Sequence, residues 1–343
     1  MDKSMNKASC STNPEITVLM SCYNAGRWLH EAIDSVLQQT FKNFEFIILD
    51  DGSEDETWNI IQSYCSRDKR IVAIRKENTG LADSLNVGIA HAKGTWIARL
   101  DADDLCEPTR LEEQIAFIRK NPEIVLLGTG FLEINDSGSV LKRHSYPAKH
   151  DQLLHRLKRS MAFFPHSSAF YRTDLVQRVH GYNPRIKRSE DTDLWLRLSE
   201  KGKLGCFKKP LVRIRKHSEQ ISLDQAGKRQ LCDSTAARVC YFLRSSGIPD
   251  PSASNEEADW SSFLEWVENR IDQESVCEKR KAWNAARSEF LQAKNRLTGI
   301  IRFSNRLLHS SHTRELLSEK FFGSSLPQRL ASEWVKHYIE EHS

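Results

Sequence analysis

Along the first hundred residues, short apolar runs alternate with stretches in which apolar residues recur every three or four positions. Ile16 to Met20, Phe44 with Phe46-Ile47-Ile48-Leu49, the run 71–74 and the run 96–100 are near-continuous apolar segments. Such segments read as strands buried on both faces of a parallel sheet. Between them lie the stripes Trp28, Leu29, Ala32, Ile33, Val36 and Leu37, then Trp58, Ile61 and Tyr64, then Leu81, Leu85, Ile89 and Ala92. Each stripe predicts an amphipathic helix. Ser53 or Asp55 is the expected N-cap of the second helix, and Gly94 the expected C-cap of the third. Repeated β-α units of this kind imply an α/β fold, a three-layer sandwich with a right-handed, mostly parallel sheet.

The alternation weakens after Pro108. A helix over 109–120, a strand over 124–127 and a hairpin turn at Asn135-Asp136-Ser137-Gly138 are followed by a short basic helix near 150–159. A strand at Phe170-Tyr171, a helix over 173–179, the helical stripe Leu194 and Leu198, and a strand over 211–214 complete this part. From about Asp224 the pattern is helical, with segments expected at 228–243, 260–271, 276–308, 313–322 and 327–340. The expected organisation is a polar N-terminus (1–14), an α/β region (15–223, halves 15–105 and 106–223) and a helical C-terminal region (224–343).

With 343 residues, 39% of them hydrophobic, the chain can build a full core without staples. No apolar run approaches the roughly 18–20 residues of a membrane span, and the polar first residues lack the apolar stretch of a signal peptide. A cytoplasmic location is expected. Fifty basic residues nearly balance 46 acidic ones, which argues against a dedicated nucleic-acid binder. The eight cysteines show neither C-x-x-C pairs nor zinc spacing and are read as reduced thiols. In the expected helix over 276–308, apolar residues such as Trp283 and Phe290 face basic ones such as Arg287 and Lys294. That face suits either packing on its own protein or contact with the inner, anionic face of a membrane.

The candidate chemistry sits where strands end. Ser21-Cys22-Tyr23-Asn24, Asp50-Asp51-Gly52-Ser53 and Asp101-Ala102-Asp103-Asp104 all follow strands, and open α/β sheets bind ligands beyond the carboxyl ends of their strands. Three carboxylates within four residues repel one another unless a cation, hydrogen bonds or solvent compensates. In an extended chain Asp101 and Asp103 point to one side, and a hard cation such as Mg²⁺ or Mn²⁺ takes such oxygens together with substrate phosphates. The competing interpretation is a solvated acidic turn that caps the following helix.

The stretches Thr17 to Asn24, Ser35-Val36-Leu37-Gln38-Gln39-Thr40, Asp50 to Ser53 and Leu100 to Asp104, in this order, resemble family 2 glycosyltransferases with the GT-A fold. The resemblance covers about residues 15–220. It implies an inverting transfer of a sugar from a nucleotide-diphosphate sugar, a UDP-sugar in the first instance, to a hydroxyl of a glycan or lipid-linked saccharide. Asp51 is then the acceptor for the base N–H, Ser21 and Tyr23 with Asn24 form the base pocket, and Asp101 reaches the ribose or sugar. Asp103 holds the divalent ion, Mn²⁺ or Mg²⁺, and Arg75 with the 78–85 segment forms the donor loop. Glu190-Asp191 is the acceptor-side acidic pair, with Asp191 as general base. By the same resemblance His217 approaches the metal or diphosphate, and His166 lines the acceptor side or packs behind it. Without the resemblance, Glu190-Asp191-Thr192-Asp193 reads first as a helix N-terminus rich in acidic residues. A nucleotidyltransferase that makes nucleotide sugars and an inactive nucleotide- or sugar-binding module are the rival functions. The missing glycine-rich phosphate loop with an adjacent lysine counts against the first.

Overall fold

The computed structural model describes residues 13–217, 227–274 and 325–342. Contacts group the chain into two compact units, one of Met1–Ser145, Pro165–Gly181 and Phe207–Arg215, the other of Tyr146–Phe164, Tyr182–Cys206 and Lys216–Ser343.

The first unit begins with the expected alternation: β1 (Ile16–Cys22), α1 (Leu29–Leu37), β2 (Phe44–Asp50), α2 (Thr57–Cys65), β3 (Ile71–Arg75), α3 (Leu81–His91) and β4 (Trp96–Arg99). Strands β1, β2, β3 and β4 pair in parallel in the order 3-2-1-4, and every residue of β2 is buried. The core between sheet and helices joins Val18, Met20, Phe46 and Ile48 to Leu29, Ile33 and Val36 of α1. Next come β5 (Leu105–Cys106), α4 (Arg110–Lys120), β6 (Ile124–Ile134), β7 (Val140–His144), β8 (Phe170–Arg172), α6 (Thr173–Arg178) and β9 (Lys203–Arg215), with α5 (His150–Lys158) between β7 and β8. Here pairing turns antiparallel, through β4–β8, β6–β8, the β6–β7 hairpin and β5–β9, so the nine strands make a mixed sheet.

Register fixes where the polar clusters go. Cys22 lies beside Asp50, Asp50 beside Arg75, and Leu19 beside Arg99, so the strands of the parallel half end along one edge of the sheet. The turn at 135–138 closes the β6–β7 hairpin as expected, with Gly138 at φ 81°.

Gly94 differs from its expected role. Helix α3 ends at Ala92 in extended conformation, and Gly94 has no positive φ. It is needed because the chain passes against β1: a Cβ there would lie 2.3 Å from the Thr17 amide nitrogen. Gly94→Ala is therefore expected to cost about 1–3 kcal/mol by overpacking, read as a lowered denaturation midpoint; an unchanged midpoint would refute the contact. Asp55 does serve the start of α2, its Oδ1 accepting the Thr57 N–H at 3.0 Å.

In the second unit α7 (Glu190–Ser199) is backed by α8 (Gly227–Ser245), which also packs on α9 (Glu257–Gln273) and α10 (Leu326–His342). Ile186 joins Ala236, Val239 and Cys240 of α8, Phe263 and Val267 of α9, and Leu330 and Trp334 of α10 in one apolar core. The helices expected over 276–308 and 313–322, with the candidate membrane face, lie outside the described residues, and so does the boundary at 224. No helix among the described residues is long and apolar enough to cross a membrane. Cys22, Cys65, Cys106, Cys206, Cys232 and Cys240 are free thiols.

Candidate active site

The loop after β1 is stitched to the loop after β2. Asn24 N donates to Ser53 Oγ at 2.9 Å, Ala25 N to Thr57 Oγ1 at 2.8 Å and Gly26 N to Asp55 Oδ2 at 3.0 Å, while Asn24 Oδ1 accepts from Glu54 N at 3.0 Å. Asn24 itself sits at φ 49°, a left-handed conformation that asparagine tolerates. Its side chain thus builds the loop pair, and Tyr23 is left 52% exposed at the strand end. Ser21 is half-buried. Burial and then the Asp50 carboxylate push the Cys22 thiol up, which makes it inert.

Asp51 is buried, and its carboxylate is already engaged. Oδ1 accepts from Lys76 Nζ and from Thr79 N at 3.1 Å, and Oδ2 accepts from Gly80 N at 2.9 Å. Asp51 therefore ties β2 to the entrance of α3 and keeps one acceptor position, on Oδ2, for a ligand. Lys76, which also donates to Glu77 O and Thr79 Oγ1, stands where two hollows meet. One, of about 500 Å³, is lined by Gly52, Arg75, Lys76, Glu77 and Asn78; the other, of about 660 Å³, by Lys76, Glu77, Thr79, Asp83, Asn86 and neighbours. Arg75 pairs with Asp50 at 3.1 Å and donates to Ser53 O at 3.0 Å, leaving its outer side half exposed at the first hollow.

After β4 the chain turns. Asp104 N donates to Asp101 O at 3.3 Å, so residues 101–104 do not continue the strand, and the expected same-side geometry of extended residues does not apply. Asp101 pairs with the buried Arg99, and its Oδ2 accepts from Ser167 Oγ at 2.6 Å. Burial works to raise its carboxyl, but the Arg99 charge and the bonds from Arg99 and Ser167 win and hold it below the usual range. Asp104 goes the other way: burial, then the Asp103 and Asp101 carboxylates, raise it well above that range. It does not cap the next helix, because its Oδ1 accepts from Arg215 N at 2.9 Å and its Oδ2 lies 2.5 Å from Ser167 Oγ. His166 opens a 3₁₀ turn, His166–Ser168; burial, aided by Arg99 and opposed by Asp101, brings its imidazole down to about 3, so it is neutral at ordinary pH.

Buried guanidinium groups frame this turn. Arg110 donates to Arg99 O at 2.8 Å and Ala169 O at 3.2 Å. Arg215, 0% exposed, donates from Nε to Asp103 O at 3.1 Å. Ser167, Lys76, Arg99 and Arg215 were absent from the expected site, although Ser167 adjoins His166 and Arg215 lies two residues before His217.

In the second unit Glu190 and Asp191 do stand in the first turn of α7, as the acidic pattern predicts. Glu190 is buried and Asp191 is half-buried, its Oδ1 accepting from Thr192 N at 2.6 Å. Asp193 is the structural member, fully buried and paired with Arg197 at 2.5 Å. Helix α8 braces the approach to α7: Asp233 Oδ2 accepts from Arg188 N at 3.2 Å. His217, half-buried just past β9, falls in the second unit, and Asp103 in the first.

Among the described residues no group of three or more His, Cys, Asp or Glu side chains could cage a metal. The carboxylates of the 101–104 turn are still the hard oxygen donors that Mg²⁺ and Mn²⁺ prefer. One or two such ligands, with phosphate and water completing the shell, is the usual way Mg²⁺ is held. The donor set fits a cation brought with a diphosphate.

A parallel half-sheet whose polar strand ends carry an acidic turn, extended by antiparallel strands, defines an α/β transferase of the GT-A type. Residues 17–179 match the model of glycosyl transferase family 2. A Bacillus subtilis (strain 168) protein bearing the glycosyltransferase name EpsE is 36% identical over 214 residues, covering 61% of this chain and 76% of its own. A Haemophilus influenzae protein named as a glycosyltransferase is 32% identical over 247 residues, with 68% and 76% covered. The chain belongs to glycosyl transferase family 2 and is a glycosyltransferase. In fold it is similar to S. aureus TarS 1-349 in complex with UDP-GlcNAc (TM-score 0.57, 20% identity, 75% of this chain and 72% of that one). It is similar also to the mannosyltransferase PcManGT from Pyrobaculum calidifontis in complex with GDP-Man and Mn²⁺ (TM-score 0.51, 14% identity, 95% and 89%).

Proposed function

We propose that the chain is an inverting glycosyltransferase that moves a sugar from a UDP-sugar to a hydroxyl of a glycan or lipid-linked saccharide. The observation that carries this reading is the acidic turn 101–104, which follows β4 on the same sheet edge as the ends of β2 and β3 that carry Asp51 and Arg75. The UDP-GlcNAc named with TarS supports the choice of uridine. In this reading Asp51 accepts the base imide N–H at its open Oδ2 position, Tyr23 covers the base face, and Ser21 and Asn24 shape the pocket edge. Arg75 lines the donor loop, and Asp101 takes the ribose or sugar hydroxyls. Asp103 holds Mn²⁺ or Mg²⁺, with His217 on the diphosphate side; when bound, the cation supplies positive charge to the departing diphosphate. Asp191, with Glu190 beside it, accepts the proton of the acceptor hydroxyl as that oxygen attacks the anomeric carbon. The glycosyl–phosphate bond breaks on the opposite face, its electron pair leaves with the diphosphate, and the configuration inverts.

The test is a thermal-shift panel of UDP, dTDP, GDP, CMP and ADP with Mn²⁺, with Mg²⁺ and with chelator. A nucleotide at about a hundred times its Kd stabilises the fold by about 2.7 kcal/mol. Stabilisation by UDP that chelator removes is expected. Stabilisation by GDP instead would reassign the donor, and no response to any nucleotide would sink the reading.

A further inference from the structure

Arg215 is the last residue of β9, and the ladder that pairs Leu105 with Arg213 carries it back to the acidic turn. Its guanidinium is fully buried and reaches three segments distant in sequence. Nε donates to Asp103 O at 3.1 Å, one terminal nitrogen to Asp136 O at 2.7 Å and Asn135 O at 3.4 Å, and the other to Glu31 Oε2 at 2.7 Å. Its main-chain N–H takes Asp104 Oδ1 at 2.9 Å. The side chain also lies over the Trp28 ring, 5.7 Å from its centroid. The turn, helix α1 and the β6–β7 hairpin are thus held by one planar fork.

A buried charge persists only where its hydrogen bonds are met, and a five-donor fork meets several directions at once. The turn it holds carries three carboxylates within four residues, like charges crowded on a short stretch of chain. Left to repulsion, such a turn opens; bonded at the Asp103 carbonyl and the Asp104 carboxylate, it keeps the Asp103 side chain in a fixed place. From this geometry we infer that Arg215 is the positioning residue of the acidic turn and sets the affinity of the Asp103 carboxylate for the divalent cation of the donor complex. The inference rests on the cation assigned to Asp103 above. Arg215 touches neither substrate nor cation; it acts through the turn.

Mutation of the outer partners of a metal ligand costs about ten- to a hundredfold in metal affinity. The experiment titrates Mn²⁺ at a fixed, saturating UDP concentration and reads half-saturation by thermal shift, for wild type, Arg215→Lys and Glu31→Gln. The Glu31 side chain is 59% exposed, so its amide variant keeps the fold while weakening one arm of the fork. Arg215→Lys keeps the charge but cannot span three segments. Half-saturation is expected to rise about tenfold or more for Arg215→Lys and to move the same way, by less, for Glu31→Gln. Each variant in chelator without UDP is expected to keep a cooperative melting transition, which a general loss of structure would not allow. A folded Arg215→Lys with wild-type half-saturation overturns the inference. If that variant does not fold, Glu31→Gln decides, and no shift there overturns it too. A wild type without Mn²⁺-dependent UDP binding overturns the cation assignment itself, and the positioning role with it, before any variant is compared.

Discussion

Asp191→Asn lowers turnover by about 10²–10⁴-fold while leaving donor binding and melting temperature near wild type. The factor is that of a lost general base, because an amide cannot take up the proton that the acceptor hydroxyl must shed. Stability is spared for a local reason. The bond from Thr192 N to Asp191 Oδ1 at 2.6 Å is equally available to the amide oxygen of asparagine. The buried anchor of the same helix turn is Asp193 with Arg197, which the substitution does not touch. Steady-state kinetics with a UDP-sugar and a saccharide acceptor, alongside a melting curve, separate the two effects. Activity within a fewfold of wild type would take the base role away from Asp191 and point to Glu190.

Asp103→Ala is expected to abolish metal-dependent nucleotide stabilisation and to cut turnover by at least about 10³-fold, since the charge on the departing diphosphate loses its counter-ion. The same substitution is also expected to relieve a charge penalty in the fold. Asp104 has a folded-state pKa raised above its unfolded value, first by burial and then by Asp103, so its ionisation opposes folding as pH rises above the ordinary carboxylate range. Removing Asp103 takes away part of that penalty, while its backbone carbonyl still accepts from Arg215. Melting curves at pH 5 and pH 8 (about one and four units above an ordinary aspartate pKa) are expected to show the variant equal to wild type at the lower pH and equal or more stable at the higher. A variant clearly less stable at the higher value would mean that the Asp103 carboxylate is needed for the fold and is not kept for a ligand.

The parallel half of the sheet was legible because β1, β2 and β4 are buried on both faces and so appear as unbroken apolar runs. Their polar ends were legible for the complementary reason: a carboxylate cluster after such a run has no packing purpose. The antiparallel half was harder to see. Strand β9 runs thirteen residues, but Lys208 and Lys209 within it face solvent, so only its last apolar stretch showed. Strand β6 extends to Ile134 past Gly128 and Gly130, residues that look like breaks; a Cβ at Gly130 would meet the His144 carbonyl at 2.6 Å. Arg215 and Ser167 were not legible because each acts through partners far away in sequence. Ser167 bonds carboxylates more than sixty residues away, and the Arg215–Glu31 bond spans 184. A charged or hydroxylated side chain with such a partner looks, in one dimension, like any solvated surface residue.

The C-terminal helices supply most of the core around Ile186, and Asp233 of α8 holds the backbone just before α7. Residues 15–217 therefore do not make a portable cassette. A chimera that grafts them alone onto another protein inherits a raw apolar wall at Ile186 and a loosened Arg188 loop, so α8, α9 and α10 have to travel with the segment that carries Asp191.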